Sequence, residues 1–330
     1  MTREGDALDA LLAFASSAAT TLLPNGGIPG SVPLWCLIGV GLGFGQASSV
    51  GAQDRASIHN AAGLRLLIAT ENVQPALRII LPGRAVSDRS IEVLFPEHVT
   101  AVKRGTANAV HLYLFRPGRR GEPPRWRQVG QSLEYQRNLP GGVRLLARAT
   151  LEDDGVRFRY EFTNDSTVAY DMIHAVTDPR LTGTLHDVRL ERTYVHHTDG
   201  VDLLASDMPG RVTMPLSQWL PARYLASVTW PVPAQRVERR SDGITYYSKS
   251  RAVDMPFIAT LSADKAWVVA SFAREAGNVW SNPELTCQHV DPQTSLSPGQ
   301  RVAREVKILV IQGTVDDALQ RALEQRESLK

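Results

Sequence analysis

From residue 60 to the last turn before residue 314, the chain is a succession of short extended segments separated by turn signals. None of it sustains the 3.6-residue periodicity of an amphipathic helix. That property restricts the fold more than any other. Strands without intervening helices lack the crossovers that a parallel α/β sheet needs, so they must pair antiparallel and bury one face against another sheet. The expected fold class is all-β, a large antiparallel β-sandwich.

The clearest local pattern is a hairpin. Val143, Leu145, Ala147, Ala149 and Leu151 alternate with mostly polar neighbours, and Val156, Phe158, Tyr160 and Phe162 alternate again, with Asp154-Gly155 expected as the turn. Arg157, Arg159, Glu161 and Thr163 occupy the other face of the second arm, so one side packs on a core and the other meets water. Further strands are expected at Leu64 to Thr70, Ala76 to Leu81, Ile91 to Phe95, Ala109 to Phe115, Val168 to Val176, Val188 to Tyr194, Arg223 to Thr229, Ile244 to Lys249 and Val302 to Ile311. Phe257 to Leu261 and Ala266 to Phe272 form a second hairpin whose second arm is almost wholly apolar, as in a sheet covered on both sides. One helix closes the chain. Thr314 caps it, Asp317 stands three residues on, and Val315, Ala318, Leu319, Ala322 and Leu323 make an apolar stripe. No linker rich in Pro, Gly or Ser divides residues 53–330, which are expected to form one domain.

Residues 1–52 differ in kind. They hold one basic residue, Arg3, three acidic ones, and an apolar run from Leu34 to Gly45 that is shorter than the roughly 20 residues a membrane span requires. Val50-Gly51-Ala52 has the small-residue form of a signal-peptidase site. The segment reads as a leader, and the mature chain as an exported protein, periplasmic or extracellular, with no stable membrane span. Loss of the leader removes Cys36 and leaves Cys287 alone, so no disulfide within the chain is expected. With a net charge of +2 and basic residues scattered among acidic ones, nucleic acid is not an expected partner.

Reactive side chains concentrate between residues 280 and 291. In an extended strand Cys287, His289 and Asp291 point the same way. Trp280 and Asn282 precede them, an aromatic plate and an amide of the kind that stack on and hydrogen-bond a sugar. Cys287, His289 and Asp291 are also metal-ligand types, but their spacing matches no zinc pattern. His196 and His197 would point to opposite faces of a strand, and neither a metal nor another cofactor is expected. A second cluster runs from Tyr170 through His174 to Asp178, then Asp187, Arg189, Arg192 and Tyr194. Asp178, Asp187 and Arg189 read as surface ion pairs, and the planar fork of Arg192 suits an acidic group on a ligand. Trp219 and Trp230 fall in expected loops, where a ligand role competes with burial. The chain has no nucleotide-binding glycine loop, no Gly-x-Ser-x-Gly elbow and no His-Glu-x-x-His helix.

Phe162-Thr-Asn-Asp-Ser166 at a strand end, Leu296-Ser-Pro-Gly-Gln300 before the last strand and Gly313-Thr-Val-Asp-Asp-Ala-Leu319 together resemble the galactose-mutarotase-like β-supersandwich, over roughly residues 143–319. The resemblance implies a broad sheet holding sugars on its concave face and, in catalytic members, a histidine acid with a carboxylate base. His174 is placed to match such a histidine, and no glutamate of this chain aligns with the base. The resulting expectation is an exported protein that binds or processes a carbohydrate. His174 or His289 would act as acid and Asp178 or Asp291 as base, while Arg192, Trp280 and Asn282 hold the sugar. The alternative is a non-catalytic structural or interaction module of the cell envelope.

Overall fold

Alternation makes the strands Val143–Glu152 and Gly155–Asn164 the middle of the largest sheet, because each buries one complete face. Their register pairs Glu152 with Gly155, so the hairpin loop is Asp153-Asp154, one residue earlier than expected, and Gly155 opens the second strand. Glycine is required there for a tertiary reason. A Cβ on residue 155 would lie 2.0 Å from the carbonyl oxygen of Ile308 on the neighbouring strand.

The computed structural model describes residues 57–69, 74–83, 90–114, 123–228, 236–241 and 243–330. The expected leader, Trp230 and most of the loop 116–124 lie outside them. Nine strands form the central sheet, in the order Gly200–Leu203, Thr193–His197, Phe257–Leu261, Trp267–Ala273, Arg301–Gln312, Gly155–Asn164, Val143–Glu152, Ser132–Leu139 and Arg127–Val129. Every pairing in it is antiparallel.

Three smaller sheets accompany it. One is ordered Ser57–His59, Arg65–Ile68, Ala76–Ile80, Ser90–Leu94 and Asp178–Leu181. The second is ordered Thr294–Leu296, Tyr170–Ala175, His98–Lys103 and Ala109–Leu114, and the third Arg236–Arg239, Thr245–Ser248, Ala222–Ser227, Asn278–Ser281 and His289–Val290. The one parallel pairing described joins Ala222–Ser227 to Thr245–Ser248. The first two small sheets meet the central sheet in a core that includes Phe95, Val99, Ile173, Tyr160, Phe162 and Ile308. The third packs Tyr224, Ala226, Val279 and Val290 against Val195, Ile258 and Val306.

The strand Arg301–Gln312 is packed on both of its faces. Ile308 and Val310 face inward, while Leu309 and Ile311 face outward onto the helix Val315–Gln325, whose Val315, Ala318 and Ala322 cover them. Burial on both faces is why Ile308–Ile311 of this strand and Trp267–Ala270 of its neighbour are apolar without alternation. The helix begins with the expected capping box, Thr314 and Asp317 bonding each other's backbone N–H. Where the helix does not reach, the outer face carries paired charges: Arg148 with Glu134 at 2.7 Å, Arg159 with Glu305 at 2.8 Å, Arg157 with Glu152 at 2.7 Å. An open cavity of about 430 Å³ lies over this ladder.

Several expectations are corrected. Residues 188–192 are a turn, and the strand occupies Thr193–His197. Asp178 and Asp187 are buried, 2% and 3% exposed, and not members of a surface set. Asp187 instead accepts from the backbone N–H groups of Glu191 and Arg192 and from the Thr193 hydroxyl, which forms the turn. Trp219 is fully buried and donates its indole N–H to the Val188 carbonyl. No helix among the described residues is long and apolar enough to cross a membrane.

Candidate functional site

The segment 282–288 is built as a brace between two sheets. Asn282 Oδ1 accepts from the Leu285 N–H, and the Asn282 carbonyl accepts from the Thr286 N–H. Thr286 takes φ of 46°, a left-handed conformation unusual for a β-branched residue, and its hydroxyl accepts from the Asp187 N–H. Two backbone bonds, Leu181 N–H to the Leu285 carbonyl and Gln288 N–H to the Pro179 carbonyl, lace the segment to the strand Asp178–Leu181. Alternation then sorts the side chains. Gln288 points into the central sheet, bonding Ser271, Thr260 and the Val269 carbonyl. Cys287 and His289 point the other way, toward Asp178.

A buried ion cluster results. His289 Nε2 lies 3.3 Å from Asp178 Oδ1, and its Nδ1 lies 3.5 Å from Asp291 Oδ2. The second oxygen of Asp178 accepts from Arg180 Nε at 2.7 Å. Trp280 and His289 are direct cross-strand partners, and their rings stack in parallel with centroids 3.7 Å apart. Donor atoms of Asp178, Cys287 and His289 all lie within 4.8 Å of one another. Burial works to discharge both members of the pair and is outweighed. The Cys287 sulfur and the carboxylates of Asp178 and Asp291 hold His289 well above the ordinary imidazole range. Arg180 and His289 hold Asp178 far below the usual carboxylate range.

His174 belongs to a second grouping, on the four-stranded sheet. Register places Thr100 directly between His174 on one neighbouring strand and His111 on the other. Thr100 Oγ1 and His111 Nδ1 are 2.9 Å apart. The His98 ring lies 6.1 Å from that of His174 and 5.4 Å from that of His111, both edge-on. Alternation puts Val99, Ala101 and Ile173 on one side of the sheet, so the imidazoles and the hydroxyl share the other, where His98, Thr100 and His174 are also buried, 4%, 0% and 4% exposed. Burial, reinforced by the nearby His98 and His111 rings, lowers the His174 pKa from 6.5 to about 3, so this imidazole is neutral at physiological pH. Glu97 stands between the groupings. It is 3.5 Å from His98 Nδ1, and its charge, with those of Asp178 and Glu92, raises Arg180 against the opposing effect of burial.

The site residues expected from sequence therefore divide. Asp178, His289, Asp291 and Trp280 converge, as does Cys287. Asn282 shapes the turn that delivers them. His174 stands with His98, Thr100 and His111. Arg192 directs its guanidinium at the carbonyls of Leu261, His186 and Thr184, holding the chain around residues 184–192. Trp280 has one face on His289 and packs against Leu225, Ile244 and Tyr246. His98, Thr100, His111 and Arg180 were not singled out from sequence, although His98-Val-Thr-Ala-Val-Lys103 carries the alternation of a half-buried strand and Asp178-Pro-Arg180 the i, i+2 spacing of one strand face.

No family model and no curated protein matches the chain. Among solved structures, it is similar to a galactose mutarotase related enzyme from Lactobacillus acidophilus, at 11% identity over 79% of this chain and 98% of that one, with a TM-score of 0.46. It is similar also to a GalM/aldose epimerase homologue from C. elegans, at 10% identity over 79% and 99% of the two chains, with a TM-score of 0.47. A third similar structure is an α-N-acetylgalactosaminidase from Bifidobacterium bifidum in complex with GalNAc. It is 10% identical over 83% of this chain and 39% of that one, with a TM-score of 0.43.

Proposed function

We propose that the chain binds an uncharged, hydroxyl-rich small molecule, a carbohydrate being the fitting class, on the face of the four-stranded sheet that carries His98, Thr100, His111 and His174. One observation carries the reading: three imidazoles and a hydroxyl stand side by side on that face, with His174 held neutral. A neutral imidazole offers one N–H donor and one acceptor nitrogen, the same pairing that a sugar hydroxyl offers in return. A cationic face would select anions instead. In this reading His174 is a hydrogen-bonding group, and in any turnover a neutral donor to a carbonyl or ring oxygen, rather than the imidazolium acid expected from sequence. Export after loss of residues 1–52 belongs to the same proposal. N-terminal sequencing of the secreted protein tests it, and an intact Met1 on material retained in the cell would end it.

Calorimetric titration of the full chain and of its His98→Ala and His174→Ala variants with neutral mono- and oligosaccharides tests the ligand class, with circular dichroism to confirm folding. Saturable binding is expected in the parent. Each variant should weaken it by roughly tenfold, the consequence of one or two lost hydrogen bonds at about 1 kcal/mol each. Polarimetry on pure anomers then separates an enzyme from a binding protein. Absence of saturable binding to any neutral saccharide, or binding indifferent to both histidines, refutes the proposal and leaves an interaction module.

A further inference from the structure

We infer that Asp178, Cys287 and His289 form a binding site for a divalent d-block cation, with zinc the best fit. The inference is independent of the ligand reading above and concerns a different set of side chains. Three kinds of observation support it.

The first is the donor set and its spacing. One thiol, one imidazole and one carboxylate have all their donor atoms within 4.8 Å of one another, and all three residues are buried. Nitrogen, sulfur and oxygen together suit zinc, whereas magnesium and calcium take oxygen donors. The 3.3 Å between His289 Nε2 and Asp178 Oδ1 matches the edge of a tetrahedron with ligands at about 2.0–2.1 Å from its centre, roughly 3.3–3.4 Å. Cys287 and His289, two apart, share a side of the chain. The spacing along the sequence hides the third ligand, because Asp178 arrives from another sheet.

The second is the outer shell. A metal-bound histidine characteristically offers its other ring nitrogen to a carboxylate, and His289 Nδ1 faces Asp291 Oδ2 at 3.5 Å. Ligating carboxylates are themselves held, as Arg180 holds the second oxygen of Asp178 at 2.7 Å. Trp280 fixes the plane of the ring. The third is a poorly served acceptor: Asp178 Oδ1, on a residue 2% exposed, has His289 Nε2 3.3 Å away but in a direction that makes no hydrogen bond. On binding, the imidazole is ligated as the neutral base and the sulfur as thiolate, and the displaced protons pass to solvent. Three protein donors leave a fourth position for water.

The test uses the full chain, stripped with chelator and dialysed against zinc, with metal counted by mass spectrometry. One zinc per chain is expected, and thermal midpoints should rise with zinc concentration. Cobalt(II) should give a thiolate-to-metal charge-transfer band together with tetrahedral d–d bands. Cys287→Ser should abolish the charge-transfer band and weaken zinc by roughly tenfold or more, and Asp291→Asn should weaken it by about 10- to 100-fold through the outer shell. Either variant failing to fold leaves the parent's stoichiometry and cobalt spectrum decisive. His174→Ala should leave zinc affinity unchanged, which keeps this test separate from the saccharide one. Substoichiometric zinc at micromolar concentration, or a cobalt spectrum without the thiolate band, overturns the inference.

Discussion

The neutrality of His174 has a thermodynamic consequence that can be measured without any ligand. In the unfolded chain its imidazole titrates near 6.5, whereas in the fold the value falls to about 3. Between those values the unfolded state binds a proton that the native state refuses. Its contribution to stability is therefore complete above pH 6.5 and is lost progressively as pH falls toward 3. At pH 5 the unfolded imidazole is almost wholly protonated, so moving from pH 7 to pH 5 should cost roughly 2 kcal/mol through this one group. Most carboxylates titrate below that interval, so the window isolates histidines.

Urea unfolding at pH 7 and pH 5 of the parent and of His174→Gln measures the effect, because glutamine keeps hydrogen-bonding capacity and cannot take the proton. The histidines remote from position 174 are common to both proteins and cancel in the comparison. The parent should lose ~2 kcal/mol more than the variant over the interval. Losses equal to within about 0.5 kcal/mol would mean that the folded imidazole titrates normally, which removes the basis for reading the four-stranded face as a neutral, sugar-like surface.

Two further predictions concern the frame that carries both groupings. Gly155→Ala drives a Cβ to within 2.0 Å of a backbone oxygen in a central strand, where no rotamer change relieves it, and should destabilise by roughly 3 kcal/mol or more in chemical denaturation. A loss below about 1 kcal/mol would place the pairing of Gly155–Asn164 with Arg301–Gln312 in doubt. Lys307→Met removes the buried ammonium that bonds Glu152 at 2.5 Å and Asp154 at 2.6 Å, and at pH 7 should cost about 3 to 5 kcal/mol. Burial favours protonation of both carboxylates, but Lys307 and their other partners outweigh it and hold them below their ordinary values. Their stabilisation is present above the unfolded carboxylate range and lost as pH falls through the folded values. The gap between parent and variant should therefore narrow below about pH 4, and a gap independent of pH would contradict the pairing.

The architecture was legible because alternation is a local property. Val143 to Phe162 shows its two faces in sequence, and Thr314 with Asp317 announces the helix. Where local pattern failed, a tertiary demand had replaced it. Asp154-Gly155 reads as a turn by residue type, yet Gly155 pairs on both sides as a strand residue, and it is glycine because Ile308 passes too close for a side chain. Asp187 reads as a surface charge, yet it is buried as the acceptor for three donors of its own turn. Trp280 reads as an aromatic plate, and its register opposite His289, which stacks its ring on the imidazole, is not visible in the sequence.

Of the polar face only His174 stands out in the sequence, whereas the ion cluster shows three of its members at once. Cys287, His289 and Asp291 declare a shared side by spacing alone. Thr100 comes between His174 and His111 only when Tyr170–Ala175, His98–Lys103 and Ala109–Leu114 pair in one register. A slip of one residue in the middle strand would turn His98 and Thr100 into the core and bring Val99 and Ala101 out, at the cost of every apolar contact those two make. The packing that fixes the core therefore also fixes the imidazole row. That row is as strongly specified as the fold beneath it, although no single strand encodes it.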